Sequence, residues 1–220
     1  MNYNKPLSYS GIKLFKKCPR LWADSYILMN KRPSDPAADR GTFIHKKLED
    51  FFLGKPYPDE LVVLRPWKLD FTDILRHRPS TEAELAVKVD WTPTSFEDPE
   101  ALVRGKADLI FQEENVLHIY DFKTGRKYPD HEEQGRTYFA LSADKVDKVE
   151  KCIVSMVYLD QLEVDEQDYY PNELKESIEW VKEDAMRIRT ATSYDPTPSM
   201  DTCKHCHLSW RKGGTCGAAP

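Results

Sequence analysis

Apolar residues recur at helical spacing through residues 8–29, where Ile12, Leu14, Phe15, Leu21, Trp22, Tyr26 and Ile27 follow Ser8, a residue suited to cap a helix start. Pro19 interrupts the run within Cys18-Pro19-Arg20, so the spacing predicts two short helices with a turn between them. Residues 31–39 carry Pro33 and Pro36 among polar neighbours and read as a loop. A second amphipathic helix is predicted over 41–52, with Phe43 or Ile44, Leu48, Phe51 and Phe52 on its apolar side, ending at Gly54. His45 and Glu49 lie four apart on that helix and share a face. Residues 56–79 hold four prolines and scattered apolar positions, a long connection with one helical piece near 67–75.

Beyond this connection the period changes from helical to alternating. Residues 82–91 place Glu84, Ala86, Lys88 and Asp90 on one side and Leu85, Val87, Val89 and Trp91 on the other, a strand pattern. Strands are also predicted over 102–111 and 116–123, joined by a tight hairpin at Glu113-Glu114-Asn115. Residues 130–143 read as a helix with Gln134 and Tyr138 on one face, 152–159 as a buried strand, and 172–188 as a charged helix striped by Leu174, Ile178, Val181 and Met186. This order predicts an α/β fold with a mixed central sheet flanked by helices.

Composition refines the picture modestly. The 220 residues suffice for one substantial domain, and 40% hydrophobic with 31% charged residues is ordinary for a globular chain. No apolar run reaches membrane-spanning length, and the opening Met-Asn-Tyr-Asn-Lys-Pro lacks a signal-peptide core, so the expected compartment is the cytoplasm, with no membrane partner. A net charge of −5 argues against a protein that coats nucleic acid nonspecifically. It is compatible with an enzyme that gathers carboxylates at one site and a local basic rim elsewhere. Lys16, Lys17, Arg20, Lys31, Arg32, Arg126 and Lys127 are candidates for that rim, although solvated surface charge explains most of them.

Polar groups that interrupt apolar patterns carry the chemistry. In the strand ending Asp121-Phe122-Lys123, Asp121 and Lys123 are two apart and point to the same face. Such a pair is either an exposed ion pair or half of a metal-dependent phosphodiesterase site. Asp108, among apolar residues of the preceding strand, supplies a second carboxylate, while Gly105 permits close approach of a neighbour. Phosphodiester hydrolysis needs a hard cation to bind the phosphoryl oxygen and activate water, and Mg²⁺ is held by a few oxygen ligands plus waters. Asp108 and Asp121 can provide such ligands, Lys123 can orient the water, and an imidazole from His45 would make Mn²⁺ more welcome.

Gly41-x-x-x-His45, Gly105-x-x-Asp108, Asp121-Phe122-Lys123-Thr124-Gly125 and Gln134-x-x-x-Tyr138, in that order, resemble the RecB-like branch of the PD-(D/E)XK nuclease superfamily. The resemblance covers nearly the whole chain apart from residues 55–80, and Ala107 stands where the superfamily's name has proline. It implies a restriction-endonuclease-like core and a Mg²⁺- or Mn²⁺-dependent deoxyribonuclease, expected to be an exonuclease preferring single strands. By the same resemblance His45, Asp108, Asp121 and the backbone carbonyl of Phe122 are metal ligands and Lys123 is catalytic. Glu84 is the acidic residue of the first strand, and Gln134 and Tyr138 lie beside the site or on the DNA. Implied partners are DNA, as single strands or duplex ends, and recombination, CRISPR or phage proteins in a bacterial, archaeal or phage-infected cell. A binding module with a vestigial site and an RNA nuclease are the alternatives.

Five cysteines without a secretory signal favour metal over disulfide. Cys203-x-x-Cys206 has metal-type spacing and Cys216 follows, Cys152 sits in an apolar strand as a core residue, and Cys18 is left as a fourth ligand. Members of the same branch, including CRISPR-adaptation nucleases and AddB-type helicase-nucleases, hold a 4Fe-4S cluster with one early and three C-terminal cysteines. Cys18, Cys203, Cys206 and Cys216 look similar, which implies a single nuclease domain over 1–220 whose Cys-rich appendage, 195–220, closes on Cys18. Zinc held by three cysteines and His205 or His207 is the alternative.

Overall fold

The computed structural model describes residues 3–30, 36–57, 71–128 and 131–218. Ser8 caps the first helix, α1 (Tyr9–Lys17), by accepting from the Gly11 amide at 3.2 Å, and Lys16 and Lys17 sit at its negative C-terminal end. Cys18 is extended and Pro19 opens α2 (Pro19–Tyr26), the predicted break. The next helix, α3 (Pro36–Phe52), begins inside the stretch read as loop, because Pro36 suits a first helical turn; residues 31–35 of that reading lie outside the described residues. Of the helical piece expected near 67–75, α4 (Phe71–Arg76) is seen and 58–70 lie outside the described residues.

Five strands form one sheet in the order β1 (Ser80–Val87), β2 (Val103–Glu113), β3 (Val116–Lys123), β4 (Lys151–Tyr158) and β5 (Glu163–Tyr169). All neighbours are antiparallel except β3 and β4, which run parallel because α5 (His131–Leu141) and α6 (Ala143–Val146) cross between them. The β2–β3 hairpin turns at Glu114, with φ of +50°. β1 ends four residues earlier than its alternation suggests. Trp91, with φ of +69°, turns back to donate from its ring nitrogen to the Ala140 carbonyl at 2.8 Å, leaving Val89 exposed. β5 was not predicted. It is an edge strand of sequence Glu-Val-Asp-Glu-Gln-Asp-Tyr, and its charges suit an edge that must not pair further.

The chain continues through α7 (Leu174–Arg189) and α8 (Met200–His205). One face of the sheet, with Leu85, Ile110, Ile119, Val154 and Met156, packs against Ile12, Trp22, Phe139, Val181 and Ile188 from α1, α2, α5 and α7. The other, with Leu109, Phe111, Tyr120, Phe122 and Val157, packs against Ile44, Leu48, Phe52 and Ile74 from α3 and α4. Helices therefore cover both faces, the predicted α/β arrangement and the one of restriction-endonuclease-like cores. No helix among the described residues is long and apolar enough to cross a membrane.

Candidate active site

The site lies where the sheet splits. The β2–β3 ladder stops at Leu109↔Tyr120, so the next residues, Asp108 and Asp121, stand where the strands part. β3 stays on β4: the Lys123 carbonyl accepts from the Leu159 amide at 2.9 Å. Residues alternate sides along a strand, so Phe122 turns its N–H and C=O toward β2. No β2 backbone group pairs with it there, and its N–H donates to Asp108 Oδ2 at 2.5 Å. The Phe122 carbonyl thus faces the fork.

Helices on both faces reach into this fork. From α3, His45 places Nδ1 3.0 Å from Asp108 Oδ1. Gly41, one turn earlier, makes this possible, because a β-carbon there would stand 3.0 Å from Thr124 Oγ1 in the turn after β3. Arg40 clasps the same turn from outside. Its guanidinium binds both Asp160 oxygens at 2.6 and 2.9 Å, and Asp160 Oδ2 accepts from the Gly125 amide at 2.8 Å. From α5, Gln134 accepts from Lys123 Nζ at 2.8 Å and donates to Asp121 Oδ1 at 2.9 Å. Tyr138, one turn on, lies 2.7 Å from the same Oδ1 and 2.8 Å from the Lys106 carbonyl. At Gly105 a β-carbon would crowd the Leu141 side chain at 3.3 Å and would make only ordinary contact with the Tyr138 ring at 3.6 Å.

Charge follows this geometry. Lys123 Nζ is 2.6 Å from Asp121 Oδ2, a buried oxygen that accepts no well-aligned hydrogen bond. Burial raises the Asp108 pKa against the opposing hydrogen bond from His45, and the Asp121 charge adds to the rise. Burial pulls His45 down, but the hydrogen bond and charge of Asp108, with Asp121 behind it, leave its pKa raised. The Tyr138 hydroxyl stays protonated, held well above its usual range by burial and by Asp121.

Glu84 is not brought to this cluster. It pairs with Lys106 at 3.1 Å, both side chains about half exposed. The acidic residue of β1 at the fork is Glu82, which sequence reasoning passed over. It stands opposite Asp108, between the pairs Thr81↔Leu109 and Ala83↔Ala107, with φ of +48°. Burial raises its pKa, and the Asp108 and Glu49 charges raise it further. The available signal was parity: Glu82 and Glu84 share a face of β1, and the register with β2 decides which of them meets Asp108.

Among the described residues no three His, Cys, Asp or Glu side chains converge closely enough to enclose a metal ion. Part of such a site is nevertheless assembled. His45 Nδ1 and Asp108 Oδ1, hydrogen-bonded at 3.0 Å, are a nitrogen and an oxygen donor that would both be available to a divalent ion. Asp121 Oδ2 accepts no well-aligned hydrogen bond and faces Lys123 Nζ at 2.6 Å, and oxygen-rich donors with one imidazole suit a hard divalent cation.

A basic groove of about 360 Å³ runs from the fork along α1 and α5, lined by Lys13, Arg104, Lys106, Lys123 and His131 beside Gln134 and Tyr138. This rim differs from the one read in the sequence. Lys16 pairs with Glu133 and Asp184 at 3.0 and 3.2 Å, Lys127 pairs with Asp165 at 2.6 Å, and Lys31 and Arg32 lie outside the described residues.

Away from the fork, Cys18, Cys203, Cys206 and Cys216 line one cavity between α2 and the C-terminal segment, and all are free thiols. Cys152 is elsewhere, fully buried in the sheet core with its thiol pushed up to about 12 by burial. Neither His205 nor His207 lines the cavity, and His207 Nε2 lies 2.8 Å from Asp24 Oδ2 on α2, tying the C-terminal segment down.

Two solved structures are similar in fold. A candidate exonuclease from Eubacterium rectale aligns with a TM-score of 0.56 and 12% identity, over 93% of this chain and 88% of that one. The protein SSO0001 aligns with a TM-score of 0.50 and 17% identity, over 94% and 84% respectively. A search of curated proteins finds no match. A model of the PD-(D/E)XK nuclease superfamily matches residues 6–211, which include every residue of the fork, and the chain belongs to that superfamily.

Proposed function

We propose that the chain is a Mg²⁺- or Mn²⁺-dependent deoxyribonuclease of the RecB-like branch, an exonuclease that prefers single strands. The observation that carries this reading is the fork, where Asp108, Asp121 and the Phe122 carbonyl meet His45 from one face and Lys123 with Gln134 from the other. Nucleases of this superfamily typically use divalent metals, and His45, Asp108, Asp121 and the Phe122 carbonyl are the groups that would hold one. Such an ion supplies Lewis-acid polarisation of the phosphoryl group and a more acidic water. Lys123, fixed between Asp121 and Gln134, orients the attacking water and offsets charge developing at phosphorus. Tyr138 and Gln134 hold Asp121 in one orientation, and the lysine- and arginine-lined groove takes the phosphates of the strand.

Labelled single-stranded DNA incubated with Mg²⁺ or Mn²⁺ tests this directly, with the native chain beside Asp121→Ala and Lys123→Ala. Cleavage by the native chain alone is expected, and equal activity in all three would sink the assignment. Resistance of circular single strands identifies an exonuclease. A parallel labelled RNA exposes a ribonuclease, and binding without cleavage by the native chain exposes a vestigial site.

The four cysteines around one cavity are the set that would hold a 4Fe-4S cluster, and the absence of a histidine there among the described residues speaks against zinc held by three cysteines and His205 or His207. In this reading residues 195–220 form an appendage of one nuclease domain spanning 1–220, and the cluster clasps it to Cys18. Free thiols and a cluster suit the cytoplasm of a bacterial, archaeal or phage-infected cell, where recombination or CRISPR proteins are the natural companions. Anaerobically purified protein is expected to be brown with four irons per chain, and a colourless zinc-loaded sample overturns the cluster.

A further inference from the structure

Beside the basic groove lies a second depression of different chemistry. Tyr158, at the end of β4, carries the His131 ring stacked on it, with centroids 5.5 Å apart and planes at 25°. The same rings are fastened at their edges by a 2.8 Å hydrogen bond between His131 Nδ1 and the Tyr158 hydroxyl. Tyr128 stands nearly perpendicular to His131 at 5.8 Å and 82°, and its own ring is 55% exposed. Lys127 Nζ lies 5.6 Å from the Tyr158 ring centre and pairs with Asp165. The remaining wall, Asp165, Glu166 and Gln167 with Glu132, is rich in hydrogen-bond acceptors.

The two depressions share His131, which lies one helical turn before Gln134, the residue that grips Lys123. They differ in charge. The groove presents Lys13, Arg104, Lys106 and Lys123, whereas the aromatic depression is bordered by three carboxylates that repel phosphate. An acceptor-rich wall meets the exocyclic amines and ring N–H groups of a base, and a rigid aromatic face offers it stacking. Burial, reinforced by the Lys123 charge, keeps His131 neutral at pH 7, so its ring acts as an apolar surface.

We infer that Tyr128 and His131, backed by the fully buried Tyr158, form a stacking site for one unpaired nucleobase, that of a nucleotide next to the scissile phosphate, while the backbone runs in the basic groove. This rests on the nuclease reading above and deepens it, because only a base released from pairing reaches the platform. It gives the preference for single strands a physical origin outside the catalytic groups.

The test uses the full chain and short single-stranded DNA in which one abasic nucleotide is moved along the strand, with binding measured in EDTA and cleavage in Mg²⁺. One abasic position is expected to weaken binding to the native chain roughly tenfold, the scale of losing one stacked base. Tyr128→Ala is expected to bind the intact strand about tenfold more weakly and to be indifferent to the abasic site at that position. Tyr128→Trp, which keeps an aromatic face, binds the intact strand at least as tightly as the native chain. If no position is sensitive, or if the abasic penalty persists undiminished in Tyr128→Ala, the stacking site is refuted. Asp121→Ala run alongside separates the two readings: full cleavage by it removes the nuclease assignment, whereas loss of cleavage beside an unaltered abasic profile in Tyr128→Ala removes the stacking site alone.

Discussion

Replacing Tyr138 by phenylalanine removes one oxygen and keeps the ring, so no cavity confuses the result. That hydroxyl has one hydrogen and two acceptors, Asp121 Oδ1 at 2.7 Å and the Lys106 carbonyl at 2.8 Å, and it lies 3.1 Å from Gln134 Nε2. Tyr138 is only 6% exposed, so water cannot readily replace the lost donor. One charge-assisted hydrogen bond then disappears and a buried acceptor goes unmet, a cost of about 2 kcal/mol. For a domain of this size that lowers Tm by about 4–8 °C. Asp121 keeps its bond from Gln134 but loses the second grip that fixes its rotation, and removing such support from a ligand typically costs roughly 10–100-fold in activity or metal affinity. The assay is thermal unfolding beside Mg²⁺-titrated cleavage of single-stranded DNA. Unchanged Tm with unchanged Mg²⁺ dependence would falsify the claim that Tyr138 orients Asp121.

Three further outcomes are expected. Lys123→Met lowers the cleavage rate roughly 10²–10³-fold while affinity for single strands in EDTA changes by less than about tenfold, which rate and binding measurements separate. His131 has its pKa lowered to about 4 by burial and the Lys123 charge, whereas an unfolded chain titrates it near 6.5. Between these values the unfolded chain binds a proton that the folded one refuses, so stability is present above about pH 6.5 and lost as pH falls toward 4; a Tm–pH profile should show this slope, and His131→Phe should flatten it. Cys18→Ser is expected to abolish the brown colour and iron retention, with Lys123-dependent cleavage surviving at temperatures where the variant stays folded, since Cys18 lines the cysteine cavity rather than the groove.

Much of this arrangement was legible in residue order because it depends on local periods. Asp121 and Lys123 share a strand face at i and i+2, and Gln134 and Tyr138 share a helix face at i and i+4, so each pair was visible before any tertiary contact. Glu82 was not, since choosing it over Glu84 requires the β1–β2 register, a long-range property. β5 escaped for another reason: of its seven residues only Val164 and Tyr169 are apolar, so an edge strand held by backbone pairing to β4 left little hydrophobic signal. The fork is a third kind of omission. It arises where a ladder ends, and no single residue marks that point.

The contact between Arg40 and Asp160 has a bearing on how the protein would respond to its solvent. The Arg40 side chain is 53% exposed and that of Asp160 is 31% exposed, yet the pair pins the first turns of α3 to the β3 turn, one helical turn ahead of His45. Exposed charge pairs weaken as counterions accumulate. Rising ionic strength therefore acts at two places at once, thinning the attraction of the groove for phosphates and weakening the clasp between α3 and the turn after β3. Saline tolerance would then be encoded at residue 40 as much as along the basic groove.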